Sequence, residues 1–209
     1  MASARLKAIF PEFKDRLTIH WRAFPLDVIN GRPLPRHIVD QEWPHVANEE
    51  PLCEFRPWNN TGFPDTSILA YEIYDCGYAQ DPVKAFDLDY RIRRAFYYES
   101  RWIHLRNTLL EIAGEAGLEM DRLTEDFDTG RYKARVMLDC NEALRKRDEE
   151  GKAMTSPTVI LPNGEFYYNP FATEKTFNED KVMIVLKQPE KTGEEALEGY
   201  REILRRALK

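Results

Sequence analysis

Apolar residues first recur with a helical period: Leu6, Ile9, Phe10 and Phe13 stand at i, i+3, i+4 and i+7, one face of a helix that Pro11 bends or ends. The period then falls to two. Over residues 17–24, Leu17, Ile19, Trp21 and Ala23 alternate with more polar neighbours until Pro25, which has no amide proton to give a ladder, so a strand is predicted there. Residues 30–64 carry Pro33, Pro35, Pro44, Pro51, Pro57 and Pro64 together with Gly31 and Gly62. So many fixed φ angles and missing donors predict an ordered, irregular excursion without repeating structure. Trp43, Phe55, Trp58 and Phe63 within it predict that it packs on the domain.

Helical spacing returns after residue 64. Asp65 or Thr66 is placed to cap a helix in which Leu69, Ile73 and Cys76 share a face, ending near Gly77. Asp81-Pro82 sets a capping carboxylate before a proline at the first helical position, and Leu88, Ile92, Ala95 and Phe96 continue that stripe. Leu105, Leu109, Ile112 and Ala113 mark a third helix closed by Gly114 and Gly117. A short acidic helix then runs to Thr129-Gly130, and Val136, Cys140, Ala143 and Leu144 mark a fifth. No heptad is sustained, so the block is predicted to be a bundle and not a coiled coil.

The pattern next becomes strand-like. Thr158-Val159-Ile160-Leu161 is short, β-branched and apolar, Asn163-Gly164 signals a two-residue hairpin turn, and Phe166-Tyr167-Tyr168 supplies the return strand. Val182-Met183-Ile184-Val185-Leu186 fits a buried strand or a short helical stretch. Leu197, Tyr200, Leu204, Ala207 and Leu208 close the chain at helical spacing, and no internal repeat occurs.

Composition narrows the class. With 209 residues, 43% apolar and 32% charged, the chain is long enough for one well-covered core, or one domain with a large insertion, and short for two. A net charge of −6 argues against nucleic acid as a partner, because phosphate binding draws its affinity from clustered Lys and Arg. The densest basic tract, Arg145-Lys146-Arg147, runs directly into Asp148-Glu149-Glu150 and reads as a solvated helix end. No apolar run reaches the about 18 residues needed to span a bilayer, and the first eight residues hold no segment of signal-peptide character. No membrane partner and a cytoplasmic location are expected. Cys53, Cys76 and Cys140 are an odd set at wide separations, which suits a reducing compartment, and none belongs to a Cys-x-x-Cys.

His37, Asp40, Glu42 and His45 are chemically suited to zinc or iron, but their spacing fits no helical face and Pro44 intervenes. A polar loop is expected there, and no metal site is assigned. Glu125, Asp126 and Asp128 lack the glycine and terminal glutamate of a calcium loop and read as a solvated acidic helix end. Cys76 and Cys140 fall on apolar stripes, the usual place of an inert thiol. Cys53 is expected to be more exposed, with Glu54 raising its pKa. Phe96, Tyr97, Tyr98 and Trp102 are expected in the core and rim of the bundle. Neither a Gly-rich phosphate loop nor a Gly-x-Ser-x-Gly elbow occurs, which removes nucleotide hydrolysis and esterase chemistry.

Four features follow one another along the chain: Trp21-Arg22-Ala23-Phe24-Pro25-Leu26, the long helical block, Gly114-Glu115-Ala116-Gly117-Leu118 inside it, and Thr155-Ser156-Pro157-Thr158 ahead of Asn163-Gly164. Their order resembles the DsbA-like thioredoxin-fold family, in particular its bacterial cytoplasmic, FrnE-like branch. The resemblance implies an α/β, thioredoxin-like fold with a large all-helical insertion. Residues 1–64 would form its amino-terminal part, 65–150 the insertion, and 151–209 the carboxy-terminal part with proline loop, hairpin and final helix. It further implies a cis bond before Pro157 and a site lined by Ser156, Pro157 and Thr158. The substrate implied there is a thiol or disulfide, a peptide or a small molecule such as glutathione, and no bound cofactor is implied.

The chain departs from that family at one point. Relatives place a first strand and a Cys-x-x-Cys ahead of the helix that begins beside Met1 here. The chemistry needs both thiols: the helix dipole lowers the pKa of the first, and the second resolves the mixed disulfide. No catalytic residue is therefore assigned, and the chain as written is expected to be redox-inactive. A chain shortened at its amino end is favoured over a natural variant, since loss of the first strand exposes a sheet edge. The alternatives are a glutathione-dependent isomerase or transferase of the kappa-like branch, which often uses a serine in place of the pair, and a noncatalytic peptide- or thiol-binding protein.

Overall fold

The computed structural model describes residues 1–146 and 154–209. In chain order the elements are α1 (Ala2–Ile9), a 3₁₀ turn (Phe10–Glu12), α2 (Leu26–Ile29), α3 (Arg36–Glu49), α4 (Ile68–Tyr78), α5 (Pro82–Tyr97), α6 (Arg106–Glu115), α7 (Met120–Asp128), α8 (Lys133–Arg145), β1 (Thr158–Ile160), β2 (Phe166–Tyr168), β3 (Glu174–Phe177), β4 (Met183–Lys187) and α9 (Gly193–Arg206). They group into two compact units, one of Met1–Leu17, Arg36–Pro57 and Met154–Lys209, the other of Thr18–Pro35 and Trp58–Ala153. The boundary expected near residue 150, and the acidic half of the basic–acidic tract, lie outside the described residues.

In the first unit α1 packs on α9. The expected stripe of Leu6, Ile9, Phe10 and Phe13 is buried, as are Ala196, Tyr200, Ile203 and Leu204 of α9, and Pro11 ends α1 in the 3₁₀ turn. Gly199 lets α9 approach Phe171 closely: a Cβ there would lie 2.5 Å from the ring, which would have to shift.

α3 corrects the reading of residues 30–64 as irregular. Val39, Trp43 and Val46 recur at i, i+4 and i+7 and are buried, which is reason enough for a helix. Pro44 sits inside it on the exposed side, as does Asp40, whose carbonyl loses its helical donor to the proline.

The hairpin of β1 and β2 is antiparallel, with Thr158 opposite Tyr168, Val159 opposite Tyr167 and Ile160 opposite Phe166. Its connection is not the two-residue turn expected. The Leu161 amide donates to Glu165 O at 3.0 Å and the Gly164 amide to Leu161 O at 2.9 Å, so Pro162, Asn163 and Gly164 form a three-residue loop with Gly164 at φ +90°. Of residues 182–186, Met183 to Leu186 lie in strand β4, which pairs antiparallel with β3 across a bulge at Glu174/Lys175; it is not the buried strand expected, since Val182, Ile184 and Leu186 are exposed. A side chain meets the outer edge of β4 at its first residue. The Gln41 carboxamide donates to Lys181 O at 2.8 Å and accepts from the Met183 amide at 3.0 Å.

In the second unit α4 is central and packs against α5, α6, α7 and α8. Ile73, Leu88, Leu109, Ile112, Leu123 and Val136 are wholly buried around it. Leu105 and Leu144, expected on buried stripes, are exposed. Asp81 caps α5 by accepting from the Val83 and Lys84 amides at 2.9 and 3.1 Å, with Pro82 at the first helical position. At α4 the N-cap is Ser67 and not Asp65 or Thr66 as expected; the Thr66 Oγ1 ahead of it accepts from the Ile68 amide at 3.2 Å while its hydroxyl donates to Asp27 at 2.7 Å.

The strand expected over residues 17–24 forms no ladder. Helix side chains take its amides instead: Trp21 donates to Tyr74 Oη at 2.9 Å and Ala23 to Asp139 Oδ2 at 3.0 Å. Alternation of apolar and polar residues records which side of an extended segment is covered. It does not say whether strands or side chains satisfy the backbone.

Candidate functional site: the proline loop

The loop ahead of β1 is built from short hydroxyl contacts. Thr158 Oγ1 donates to Thr155 O at 2.6 Å and stands 3.4 Å from the Thr155 amide, which donates to it, so the two threonines close a small ring around Ser156 and Pro157. The Ser156–Pro157 bond is cis. Ser156 is exposed, while Pro157 and Thr158 are half-buried. Asn169 ties the far side by donating its amide to Pro157 O at 2.7 Å. The Thr155 hydroxyl is buried without a hydrogen-bond partner among the described residues, an unspent donor at the base of the loop. Thr155 is the member of the loop that the predicted site left out. The signal for it is the threonine pair at i and i+3 around Ser-Pro.

Beyond β2 the chain is strapped down by a buried ion pair. Arg5 on α1 donates through Nε to Glu50 at 2.5 Å and through Nη1 to Phe171 O at 2.8 Å, and each side chain is 1% exposed. Asn169 and Phe171 flank Pro170 with φ of +41° and +58°, the left-handed region that non-glycine residues enter at a cost of about 1–2 kcal/mol. The Tyr200 hydroxyl donates to Pro170 O at 3.5 Å. These contacts join positions far apart in sequence, so no local pattern announces them.

Burial raises the pKa of each of the three cysteines. Cys76 on α4 is buried, and burial, reinforced by the carboxylates of Asp126, Asp75 and Glu72, pushes its thiol up to about 12. Cys140 on α8 is likewise raised by burial and then by Asp139. Cys53 is half-buried, and burial raises it as well. The carboxylate that adds to the rise is Glu50, not Glu54 as expected, and the α-amino group offsets part of it. Thiols held above the ordinary range are poor nucleophiles near neutrality.

The other candidate residues are engaged separately. His37, Asp40, Glu42 and His45 lie on α3 and not in a loop: Asp40 pairs with Arg36, Glu42 with Lys175 and His45 with Glu49, and the His37 carbonyl accepts from Gln41. Asp126, expected to be solvated, is buried and paired with Arg122 and Arg131, because the apolar face of α7 turns it inward beside Leu123 and Phe127. Asp128 pairs with Arg106 through both oxygens at 2.5 and 2.7 Å. Phe96 is buried against Trp58 and Phe63, with Tyr97, Tyr98 and Trp102 half-buried around it.

Together the α1–α9 pair, the β1–β2 hairpin after the proline loop and the helical block define a thioredoxin-like α/β fold of the DsbA type with a large helical insertion. α1 is the first element described. The chain is similar in structure to a protein assigned as a protein disulfide isomerase from Nitrosomonas europaea, with a TM-score of 0.62 and 15% identity over 98% of this chain and 90% of that one. It is also similar to the cytosolic disulfide reductase DsbM from Pseudomonas aeruginosa, with a TM-score of 0.57 and 21% identity over 97% of this chain and 91% of that one. At these identities the likeness is one of fold. No protein-family model matches the sequence, and no curated protein does. No helix among the described residues is long and apolar enough to cross a membrane.

Proposed function

We propose that this chain is a thiol- or disulfide-substrate-binding protein of the thiol–disulfide oxidoreductase type, with Ser156, Pro157 and Thr158 as the substrate wall, and that it is redox-inactive as its sequence stands. The observation that carries the reading is the pinned loop Thr155–Thr158: it leads an exposed Ser156 directly into β1. The fold shared over nearly the whole chain with a reductase and an assigned isomerase supports it. The state of the thiols supports redox inactivity. The sequence has no Cys-x-x-Cys, and all three cysteines it does have are held protonated at neutral pH by burial. The FrnE-like branch and a cytoplasmic setting belong to the same proposal, in keeping with a neighbour described as cytosolic and with free cysteines.

The test is an NMR titration with oxidised glutathione and, separately, with an unstructured peptide whose single cysteine is S-methylated. Perturbation of the Ser156 and Thr158 amide resonances by either probe is expected. No perturbation by both at millimolar concentrations removes the substrate-wall reading.

A further inference from the structure

Phe86, Asp89 and Arg93 stand at i, i+3 and i+7 on α5, the face that meets Trp21 of the extended segment. Phe86 stacks on the indole with ring centroids 6.3 Å apart, and Cζ of Arg93 lies 5.1 Å from the centroid of the same ring. Trp21 thus covers one face of the guanidinium. Asp89, itself buried, holds its edge by accepting from Nε at 2.9 Å. Burial opposes the charge on Arg93, but Asp89 more than offsets it and the pKa is raised. The group is a fixed cation and not a waving surface arginine.

That tether uses one nitrogen of three. Among the described residues Nη1 and Nη2 of Arg93 have no hydrogen-bond partner, although the side chain is only 33% exposed. Other arginines of the same unit spend these atoms on carboxylates: Arg94 on Glu99, Arg106 on Asp128 and Arg131 on Asp126. The two free groups form the end of the fork, where parallel N–H donors match the two oxygens of a carboxylate. A second donor is unmet beside them. Trp21 Nε1 is buried with no acceptor among the described residues.

The surroundings define the rest of a ligand. Tyr71 and Tyr97 are half-buried and close enough to act on the charge of Arg93. Burial pushes Tyr71 up to about 12, so its ring is a neutral wall near neutral pH and does not repel an anion. Asp89 balances the guanidinium, which leaves little net charge to attract a bare inorganic ion. Binding then depends on directed hydrogen bonds at the fork and on apolar contact with the rings, the usual division of labour in a small-molecule site.

We propose that Arg93, with Trp21, Tyr71 and Tyr97 around it, binds a small carboxylic acid with a flat apolar body, the carboxylate on the Arg93 fork and the body against the rings. These residues all belong to the second unit. The site needs no thiol in its ligand and stands independently of the substrate-wall reading.

The probe is 3-phenylpropanoate, added to the full chain and followed by NMR through the Trp21 indole N–H, assigned by its loss in Trp21→Phe. A saturable shift of that resonance is expected. 3-Phenylpropanamide has the same shape without the charge and is expected to bind about tenfold or more weakly. Arg93→Lys keeps a cation for Asp89 and loses the fork. It is expected to weaken the acid by about tenfold or more and to leave the amide unchanged. Should that variant fail to fold, the acid and the amide still discriminate on the unaltered protein. No saturable shift, equal binding of acid and amide, or undiminished binding of the acid by folded Arg93→Lys overturns the proposal. Inorganic phosphate binding as tightly as the acid also overturns it, by removing the role of the apolar body.

Discussion

The Ala23 amide donates to Oδ2 of Asp139 across 3.0 Å, so a helix side chain gives this extended segment the acceptor that a neighbouring strand would otherwise supply. The other oxygen of the same carboxylate accepts from Arg22 Nε at 2.9 Å, and Asp139 is buried. One carboxylate thus fixes two consecutive residues. Asp139→Ala leaves the amide without its acceptor and the guanidinium with only Glu142, and is expected to cost about 2 kcal/mol. Urea denaturation measures it, and a change indistinguishable from zero would mean that residues 21–23 do not depend on α8.

Glu50 and Arg5 form a buried pair that also holds Phe171 O. Removing one partner strands the other charge away from water. Glu50→Ala is expected to destabilise by about 3–5 kcal/mol, and the double variant Arg5→Met/Glu50→Leu by much less. Equal losses in single and double variants would contradict an uncompensated charge as the cause.

Glu72 gives a pH dependence whose sign follows from its position. It is buried on α4 with Oε1 unpartnered, and burial raises its pKa against the field of Lys133. A carboxyl raised in the fold keeps its proton to higher pH than the unfolded chain does. Stability from this group is therefore present below the ordinary glutamate pKa and lost as pH rises through the elevated value. Glu72→Gln is expected to melt above the wild type at neutral pH, with the gap closing towards about pH 4. A gap that widens on acidification would reverse the assignment.

The thiols should differ in access. A thiol reagent at neutral pH is expected to label half-buried Cys53 first, and Cys76 and Cys140 only after denaturant is added. Labelling of Cys76 in the native protein at the rate of Cys53 would contradict both its burial and its raised pKa.

The helices from α4 to α8 are legible in the sequence because each buries one stripe against its neighbours, and a 3.6-residue period survives intact. Local capping at Asp81-Pro82 is equally plain. α3 is hidden by Pro44: proline marks a break in a helical pattern, yet Val39, Trp43 and Val46 bury enough apolar surface to carry the helix past it. The extended segment at 17–24 shows a strand's alternation without a strand's partner. At the site, Ser-Pro ahead of a β-branched run is visible in one dimension. The Thr155–Thr158 ring has only a weak local signal. Arg5, Glu50 and Phe171 have none, since their contact depends on a fold that brings together positions 45 and more residues apart.

The function proposed for this thioredoxin-like scaffold involves no thiol–disulfide chemistry as its sequence stands. The direct measurement is the reduction of insulin by dithiothreitol, followed by turbidity, with and without the protein. The rate is predicted to equal that of dithiothreitol alone. Acceleration that rises with protein concentration and survives Cys53→Ser would contradict the account outright, and acceleration lost with Cys53 would contradict the assignment of that thiol as unactivated.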